Sequence, residues 1–196
     1  MKVVQVTCPS CNRPVYMKEP DTLFYCDSCN ILHARDGGVE KLDFEIGEFG
    51  PNAPPGDRMY VPFWRLYCSF AIHSKNVQGG QLFRLASWLK GDTGSGTLFV
   101  FIPAAEFDVA TFKRLSTGFT ANPPRYATRL NFGGVRRVPT SLRKEQATEL
   151  ADFVVVTMEA EKPGVLQNLN YTLTVNDAKM VYLPFVLNPS GMAVAF

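Results

Sequence analysis

The sequence has little of what enzymes use most often for proton transfer. Only two histidines, His33 and His73, occur among its 196 residues, and they are far apart in the chain. Neither belongs to a G-x-S-x-G, H-E-x-x-H or other organised catalytic motif. The segment GDTGSGT at residues 91–97 lacks the Gly-Lys-Ser/Thr ending of a phosphate-binding loop and indicates a flexible turn. We therefore expect a protein that is not an enzyme.

Long apolar runs are also missing. The longest, LFVFIPAA and MVYLPFVL, have the length of buried strands and fall short of the roughly 18 consecutive apolar residues that a membrane-spanning helix needs. The first residues, MKVVQVTCPSC, reach a cysteine pair before the apolar core of a secretory signal could form. We expect a cytoplasmic protein without a membrane span. In that compartment thiols stay reduced, and paired cysteines indicate metal more often than disulfides.

Net charge is small as well. The chain has 20 Lys and Arg against 18 Asp and Glu, so its formal charge of +2 is too low to predict a polyanion partner by itself. Its 46% of hydrophobic residues, by contrast, can fill a sizeable core, and this content argues against global disorder. Any argument for an anionic partner must therefore rest on where the charges lie.

Four of the five cysteines occur in two pairs of identical spacing. Cys8-Pro-Ser-Cys11 and Cys26-Asp-Ser-Cys29 are separated by 14 residues. Each C-x-x-C turn places two thiolates side by side, and two such turns that face each other complete a tetrahedral metal shell. We predict that these four cysteines bind one structural Zn²⁺, with rubredoxin-like iron as the alternative.

The residues after each pair support this prediction. Asn12 and Asn30 follow the second cysteine of each turn, where the chain often adopts the left-handed conformation that Asn tolerates. Residues 4–35 therefore resemble a zinc ribbon, although Asn stands where that motif usually has Gly. The resemblance implies a structural site, because a closed shell of four sulfurs has no open position for a substrate. We interpret His33 as a surface residue and Cys68 as a buried, inert thiol.

The charges are divided unevenly along the chain. Residues 1–43 have five basic against six acidic side chains, and Zn²⁺ with four thiolates would add two further negative charges, so this part offers nucleic acid little counterion release. Residues 109–144 include eight basic side chains and no acidic one: Lys113, Arg114, Arg125, Arg129, Arg136, Arg137, Arg143 and Lys144. Arginines interleaved with aromatic residues, as they are here, are typical of single-strand binding. The alternative is a solvated face, or one that docks on an acidic surface, including the N-terminal part of this protein.

The pattern predicts an α+β fold. A small zinc ribbon, a β-hairpin with two cysteine turns, is expected at residues 1–44, a Gly/Pro-rich linker at 45–58 and an α+β domain at 59–196. In the last part a mixed sheet is packed by one long and one or two short helices. Its strands are expected from MYVPFWRLYCSFAIH and TLFVFIP, and from a final hairpin of NYTLTV and KMVYLPFVLN with its turn at Asn176-Asp177.

Three segments have helical patterns. They are QLFRLASWLKG, EFDVATFKRLSTGF with Asp108 as its N-cap, and SLRKEQATELADFVVVTMEAEK, which is stopped by Pro163-Gly164. One motif also repeats, because YVPF at residues 60–63 matches YLPF at 182–185. A proline cannot donate to a central ladder, so the repeat indicates strand edges or ends at a common rim, or a pseudo-symmetric aromatic pocket.

The function expected from these features is that of a non-catalytic zinc-binding adaptor or assembly subunit with a protein partner. Phe63, Trp64 and Phe185 are candidate interface anchors, and core positions are the alternative for them. The order of elements resembles that of uncharacterised bacterial proteins in which a zinc ribbon precedes a Tyr-x-Pro-Phe-Trp strand, and this resemblance implies no activity. The second expectation is nucleic-acid binding through residues 109–144.

Overall fold

The computed structural model describes residues 3–18, 21–35, 38–78, 95–161 and 165–196, which form a mixed α+β fold. The strands and helices of these residues are β1 (Val3–Thr7), β2 (Pro14–Lys18), β3 (Leu23–Cys26), β4 (Ile31–Arg35), β5 (Val39–Leu42), β6 (Phe44–Gly47), β7 (Asp57–Gln78), β8 (Ser95–Pro103), α1 (Val109–Ala121), β9 (Thr128–Arg129), β10 (Arg136–Arg137), α2 (Lys144–Ala160), β11 (Val165–Asn188) and β12 (Gly191–Val194).

The strands form two small sheets and one large one. β1 and β2 pair antiparallel, and β3, β4 and β5 form a three-stranded antiparallel sheet; we call residues 3–42 the cysteine module. The large sheet has the order β10-β7-β11-β6-β9, with β8 also on β7 and β12 also on β11. The two long strands β7 and β11 are its centre, and their antiparallel pairing extends from Asp57 opposite Leu187 to Gln78 opposite Val165.

The repeated Tyr-x-Pro-Phe motif lies at this centre, where its two copies pair with each other. Tyr60 is opposite Pro184, and Pro62 is opposite Tyr182. The two copies also have equivalent neighbours in the sheet. The copy in β7 pairs with the parallel strand β10 at its N-terminal end and with the antiparallel strand β8 at its C-terminal end. The copy in β11 pairs in the same way with the parallel strand β6 and the antiparallel strand β12. The repeat therefore reflects a pseudo-two-fold arrangement of strands within the sheet.

Two segments differ locally from the sequence-based expectation. The predicted hairpin turn at Asn176-Asp177 is wrong, because β11 continues through it with only a register shift between Val175 and Asp177. The long partner β7 is available along the whole segment, so an extra residue is accommodated as a bulge. The hairpin comes later, between Asn188 and Gly191. The first residues of the predicted linker are also ordered, since β6 (Phe44–Gly47) pairs with β11 and β9.

Both described helices occur where the sequence predicts them. Asp108 is the N-cap of α1, and its carboxylate accepts a hydrogen bond from the backbone N–H of Thr111 at 2.9 Å. At the start of α2 the side-chain oxygen of Gln146 accepts from the backbone N–H of Arg143 at 2.9 Å. No helix among the described residues is long and apolar enough to cross a membrane. The helix predicted at residues 81–91 lies outside the described residues. So does Pro163-Gly164, the predicted stop signal after α2.

The central part of the large sheet, residues 59–64 of β7 and 180–186 of β11, is buried on both faces. Alternate residues of a strand point to opposite sides. On one side Tyr60 and Trp64 pack with α2 and with three residues of the cysteine module, Leu23, Tyr25 and Leu32. On the other side Met59, Val61 and Phe63 pack with Phe185 and with Leu115 of α1. Burial of each such side chain contributes about 1.5–3 kcal/mol. Three residues of the cysteine module are therefore part of the main core.

Candidate metal centre

The four paired cysteines come together at one point between β1–β2 and β3–β4. Their sulfur atoms all lie within 4.8 Å of one another. The distance is 3.7 Å between the Sγ atoms of Cys8 and Cys29 and 3.5 Å between those of Cys11 and Cys26. A tetrahedral site with metal–sulfur bonds of about 2.3 Å has sulfur–sulfur edges of about 3.8 Å, so the cluster has the size that one such metal ion requires. All four cysteines are free of disulfides.

The two C-x-x-C turns have the same backbone conformation. The N–H of Asn12 donates to the carbonyl of Cys8, and the N–H of Asn30 donates to that of Cys26, both at 2.8 Å. Asn12 and Asn30 have φ angles of 57° and 55° and are the described non-glycine residues with positive φ. The predicted left-handed positions are confirmed. The left-handed residue reverses the chain direction after each cysteine pair. Both sulfurs of a turn therefore point to the same side.

Three contacts outside the sulfur cluster support this geometry. The guanidinium of Arg13, next to the first turn, donates to the hydroxyl of Ser28 in the second at 3.0 Å. The hydroxyl of Tyr25 donates to the side-chain oxygen of Asn30 at 2.6 Å. The N–H of Cys8 donates to the carbonyl of Arg13 at 2.9 Å. Hydrogen bonds therefore hold the two C-x-x-C turns in place.

The proximity of the four thiols makes their ionisation unequal. Burial, followed by hydrogen bonds with the thiols of Cys26 and Cys8, raises the pKa of Cys29 to about 12. Burial also opposes ionisation of Cys26, but hydrogen bonds from the backbone and thiol of Cys29 outweigh it and lower the pKa of Cys26 to about 7. Burial and the hydrogen bonds at the thiols thus favour ionisation of Cys26 over that of Cys29. Four thiolates in this volume need a cation among them.

The interpretation of His33 as a surface residue is wrong. Its side chain is 1% exposed, its ring stacks on Phe24 with centroids 4.9 Å apart, and its Nε2 lies 3.5 Å from the Sγ of Cys8. β4 is the central strand of its sheet and is covered on both faces, so Leu32 and His33 are both buried although they point to opposite sides. Burial first, then the charge of Lys41, lowers the pKa of His33.

The eight basic residues of segment 109–144 have different local surroundings. Lys113 on α1 forms an ion pair with Glu161, Arg129 donates to the hydroxyl of Tyr60 at 3.5 Å, and Arg143 and Lys144 begin α2. Arg114 and Arg125 are exposed on other parts of the surface. Arg136 and Arg137 lie at the cysteine module, where they line a cavity with its residues. Arg143 and Lys144 line a second cavity with other residues of the module, among them Thr22 and Leu23.

Arg137 packs against aromatic rings. Its guanidinium carbon lies 5.1 Å from the ring centroid of Tyr25, in the cysteine module, and 4.9 Å from that of Phe132. Contacts of this kind stabilise by about 0.5–2 kcal/mol. Nearby, Thr22 donates to the carbonyl of Thr140 from its N–H at 2.9 Å, and the N–H of Thr140 donates to Asp21 at 3.0 Å. Part of the basic segment therefore packs against the cysteine module.

A cleft of about 300 Å³ lies between the cysteine module and the loop before α2. Its lining includes two acidic and two basic side chains, Asp21, Asp27, Arg136 and Arg137. Aromatic and apolar residues form the rest of the wall, among them Tyr16, Met17, Phe24, Tyr25 and Phe132. No local sequence pattern predicts this cleft, because its two sides are more than a hundred residues apart in the chain.

Three further sequence-based candidates lie in the interior. Phe63, Trp64 and Phe185 are 0%, 2% and 1% exposed, which corresponds to the core alternative and leaves them no surface for a partner. The indole N–H of Trp64 donates to the carbonyl of Leu142 at 2.9 Å. Cys68 is also fully buried, and burial raises the pKa of its thiol to about 11, so it is inert as expected.

Comparison of the chain with protein-family models, with curated proteins and with solved structures gives no match. The fold and site define a mixed α+β protein with four cysteines clustered within metal-binding distance. Function is therefore argued from this cluster and from the surface that surrounds it.

Proposed function

We propose that this protein is a non-catalytic zinc-binding adaptor or assembly subunit, with residues 1–44 as a zinc ribbon. Cys8, Cys11, Cys26 and Cys29 would hold one Zn²⁺, whose chemical contribution is to cross-link the two C-x-x-C turns. Four sulfurs at tetrahedral spacing fit zinc, and they also fit a single iron. Elemental analysis of the purified protein and its visible absorption spectrum distinguish the two metals, because tetrahedral ferric thiolate is coloured and Zn²⁺ is not.

The packing of the cysteine module favours a structural role for the metal. The four sulfurs form a closed set, and Leu23, Tyr25 and Leu32, from the strands that carry the second turn, belong to the main core. A metal at this point fixes the orientation of the module on the large sheet. It also fixes one wall of the 300 Å³ cleft, since Tyr16 and Tyr25 belong to the module.

The cleft is the observation that carries the adaptor proposal. Asp21 and Asp27 balance Arg136 and Arg137, so the cleft has no formal net charge although it is bordered by the basic segment. Such a surface suits a protein segment with an apolar side chain and charges of both signs, whereas a polyanion would meet two carboxylates. Tyr16, which is 68% exposed, is the aromatic residue of the cleft most available to a partner.

Site-specific photocrosslinking tests the adaptor proposal. A benzophenone amino acid is placed at Tyr16 and, as a matched control, at Phe153, which is also an exposed aromatic residue but lies on α2 outside the cleft. We expect a discrete cross-linked product only at position 16, suppressed by excess unlabelled protein and weakened by Arg136→Glu. Equal products at both positions, or none at position 16 in extracts of the native host, contradict the proposal.

Nucleic-acid binding is the second candidate function, and the stacking of Arg137 favours it. The guanidinium that lies over Tyr25 and Phe132 is held in place, and no carboxylate among the described residues forms an ion pair with it. Together with the exposed Arg136 it could grip a phosphate beside an aromatic wall. Titration of single-stranded oligonucleotides at increasing salt tests this candidate. It requires affinity that falls steeply with salt and is weakened by Arg136→Ala but less by Arg125→Ala.

A further inference from the structure

One polar side chain next to the sulfur cluster is not accounted for by a four-thiolate site. His33 is 1% exposed, and its Nε2 lies 3.5 Å from the Sγ of Cys8. Its other ring nitrogen, Nδ1, is buried and has no hydrogen-bond partner among the described residues. An unpaired buried polar atom destabilises the folded protein, so the placement of this ring needs a compensating interaction.

The position of the proton on the ring follows from this geometry. A neutral imidazole has one N–H donor and one acceptor nitrogen, and a metal-bound thiolate can only accept. With the proton on Nδ1, a buried donor would be unpaired, and the Nε2 lone pair would face the electron pairs of Cys8. With the proton on Nε2, the ring donates to the sulfur, and only an acceptor is left unpaired. The second arrangement is the favourable one.

We propose that His33 is a positioning residue of the metal centre and donates a hydrogen bond from Nε2 to the Cys8 thiolate. The proposal depends on the zinc site proposed above. Zn²⁺ with four thiolates carries two excess negative charges, and a donor in a buried site offsets part of this charge. The hydrogen bond also draws electron density from the sulfur of Cys8, and this makes Cys8 a weaker nucleophile than it would be without the donor.

The surroundings hold the ring in this role. Phe24, directly opposite on β3, stacks on the imidazole with an angle of 23° between the rings. On the other side of β4, Lys41 of β5 is opposite His33. The sulfurs also differ in access, because Cys8 and Cys26 are buried whereas Cys11 and Cys29 are partly exposed. Exposure and hydrogen bonding therefore both predict that Cys8 reacts after Cys11 and Cys29.

Two matched substitutions separate the hydrogen bond from the packing. His33→Gln retains an N–H donor near the position of Nε2, whereas His33→Phe retains a ring that can stack on Phe24 but has no donor. Partners of metal ligands typically contribute 10–100-fold to metal affinity. We expect zinc transfer to a chromogenic chelator to be about tenfold faster in His33→Phe than in the native protein, with His33→Gln much closer to native.

Two further measurements use the zinc-loaded native protein. They test the proposal even if a variant fails to fold. Nitrogen-15 NMR should show the His33 proton on Nε2. Mass spectrometry after partial maleimide alkylation, in which each thiolate forms one thioether, should find Cys8 modified after Cys11 and Cys29. A proton on Nδ1, early alkylation of Cys8 with the metal retained, or equal zinc loss from folded His33→Phe and native protein would overturn this inference alone. A purified protein that binds no metal would overturn the zinc site as well.

Discussion

Tyr60 of β7 lies directly opposite Pro184 of β11, and the same relationship joins Tyr182 to Pro62. The carbonyls of the two prolines accept hydrogen bonds from outside this strand pair, Pro62 from the N–H of Ala104 at 2.8 Å and Pro184 from that of Ala195 at 3.0 Å. Since the N and O of one strand residue point to the same side, the missing N–H of each proline also points away from the β7–β11 ladder. Prolines can thus occupy the two central strands.

Replacement of either proline by alanine should destabilise the protein. Each substitution increases the conformational entropy of the unfolded chain, which costs about 0.4–1 kcal/mol, and adds a buried N–H at the junction between two flanking strands. Because the two sites are pseudo-symmetric, Pro62→Ala and Pro184→Ala should lower the free energy of urea unfolding by similar amounts, about 1–3 kcal/mol. The exposed Pro123, changed to alanine, is the control. A large loss at only one of the two sites would contradict the equivalence.

The two asparagines after the cysteine pairs should respond differently to glycine. Both have positive φ, so alanine at either site should cost about 1–2 kcal/mol. Asn12→Gly should be neutral or slightly stabilising in the metal-loaded protein, because glycine adopts this conformation without strain. Asn30→Gly should destabilise, since it removes the acceptor of the Tyr25 hydroxyl.

Thermal unfolding of the metal-loaded variants measures this difference. Tyr25→Phe provides the control, because it removes the same hydrogen bond without a change in the backbone. If Asn12→Gly and Asn30→Gly had equal effects, the hydrogen bond to Asn30 would contribute nothing.

Features coded within a few residues could be predicted from the sequence. The positive φ of Asn12, the N-cap at Asp108 and the extents of both described helices follow from local chemistry. The turn predicted at Asn176 failed because a long-range partner, β7, kept the segment extended. The burial of His33 was missed for a related reason, because Cys8 and Phe24, which pack against its ring, lie on other segments of the module.

The candidate site shows the same difference between local features, which the sequence predicts, and long-range contacts, which it does not. The spacing of the cysteines predicts the four-sulfur cluster, because each turn is local and only the approach of the two turns is not. The cleft and the role of Arg137 depend on how residues 132–140 dock on the module, and no short-range pattern encodes that contact. Glu45 is a third example, since the sequence placed it in a linker and the structure places it in a network of charges.

The charge network of Glu45 predicts a pH dependence of stability. Its carboxylate accepts two hydrogen bonds from Arg65, both at 3.0 Å, and one each from Lys179 at 3.0 Å and the Tyr126 hydroxyl at 3.2 Å. Burial opposes its ionisation, but the hydrogen bonds and charges of Arg65 and Lys179 outweigh burial and lower the pKa of Glu45. A carboxylate with a lowered pKa stabilises the fold above its unfolded pKa, and this stabilisation is lost as pH falls through the folded value.

Glu45→Gln should therefore lower the free energy of unfolding by about 1–3 kcal/mol at pH 7, where the charged hydrogen bonds are intact in the native protein. The difference between native protein and variant should shrink as pH falls below about 4.5, the ordinary value of this group. Urea unfolding at a series of pH values measures this difference in the free energy of unfolding. Glu40→Gln, an exposed carboxylate on β5, is the control. A difference that stayed constant down to pH 3 would exclude Glu45 as the titrating group.

Removal of the metal should affect more than the cysteine module. Leu23, Tyr25 and Leu32 share the core of the large sheet, and Thr22 is hydrogen-bonded to Thr140. If the two C-x-x-C turns separate, this core loses part of its cover and the docked segment loses its support. Hydrogen exchange measured with and without a chelator should show lost protection in β3 and β4, and also at residues 132–140 and the start of α2. Cys26→Ser should reproduce the pattern and Cys68→Ser should not. Loss of protection confined to residues 3–35 would mean that the module and the body fold independently, although they share a core.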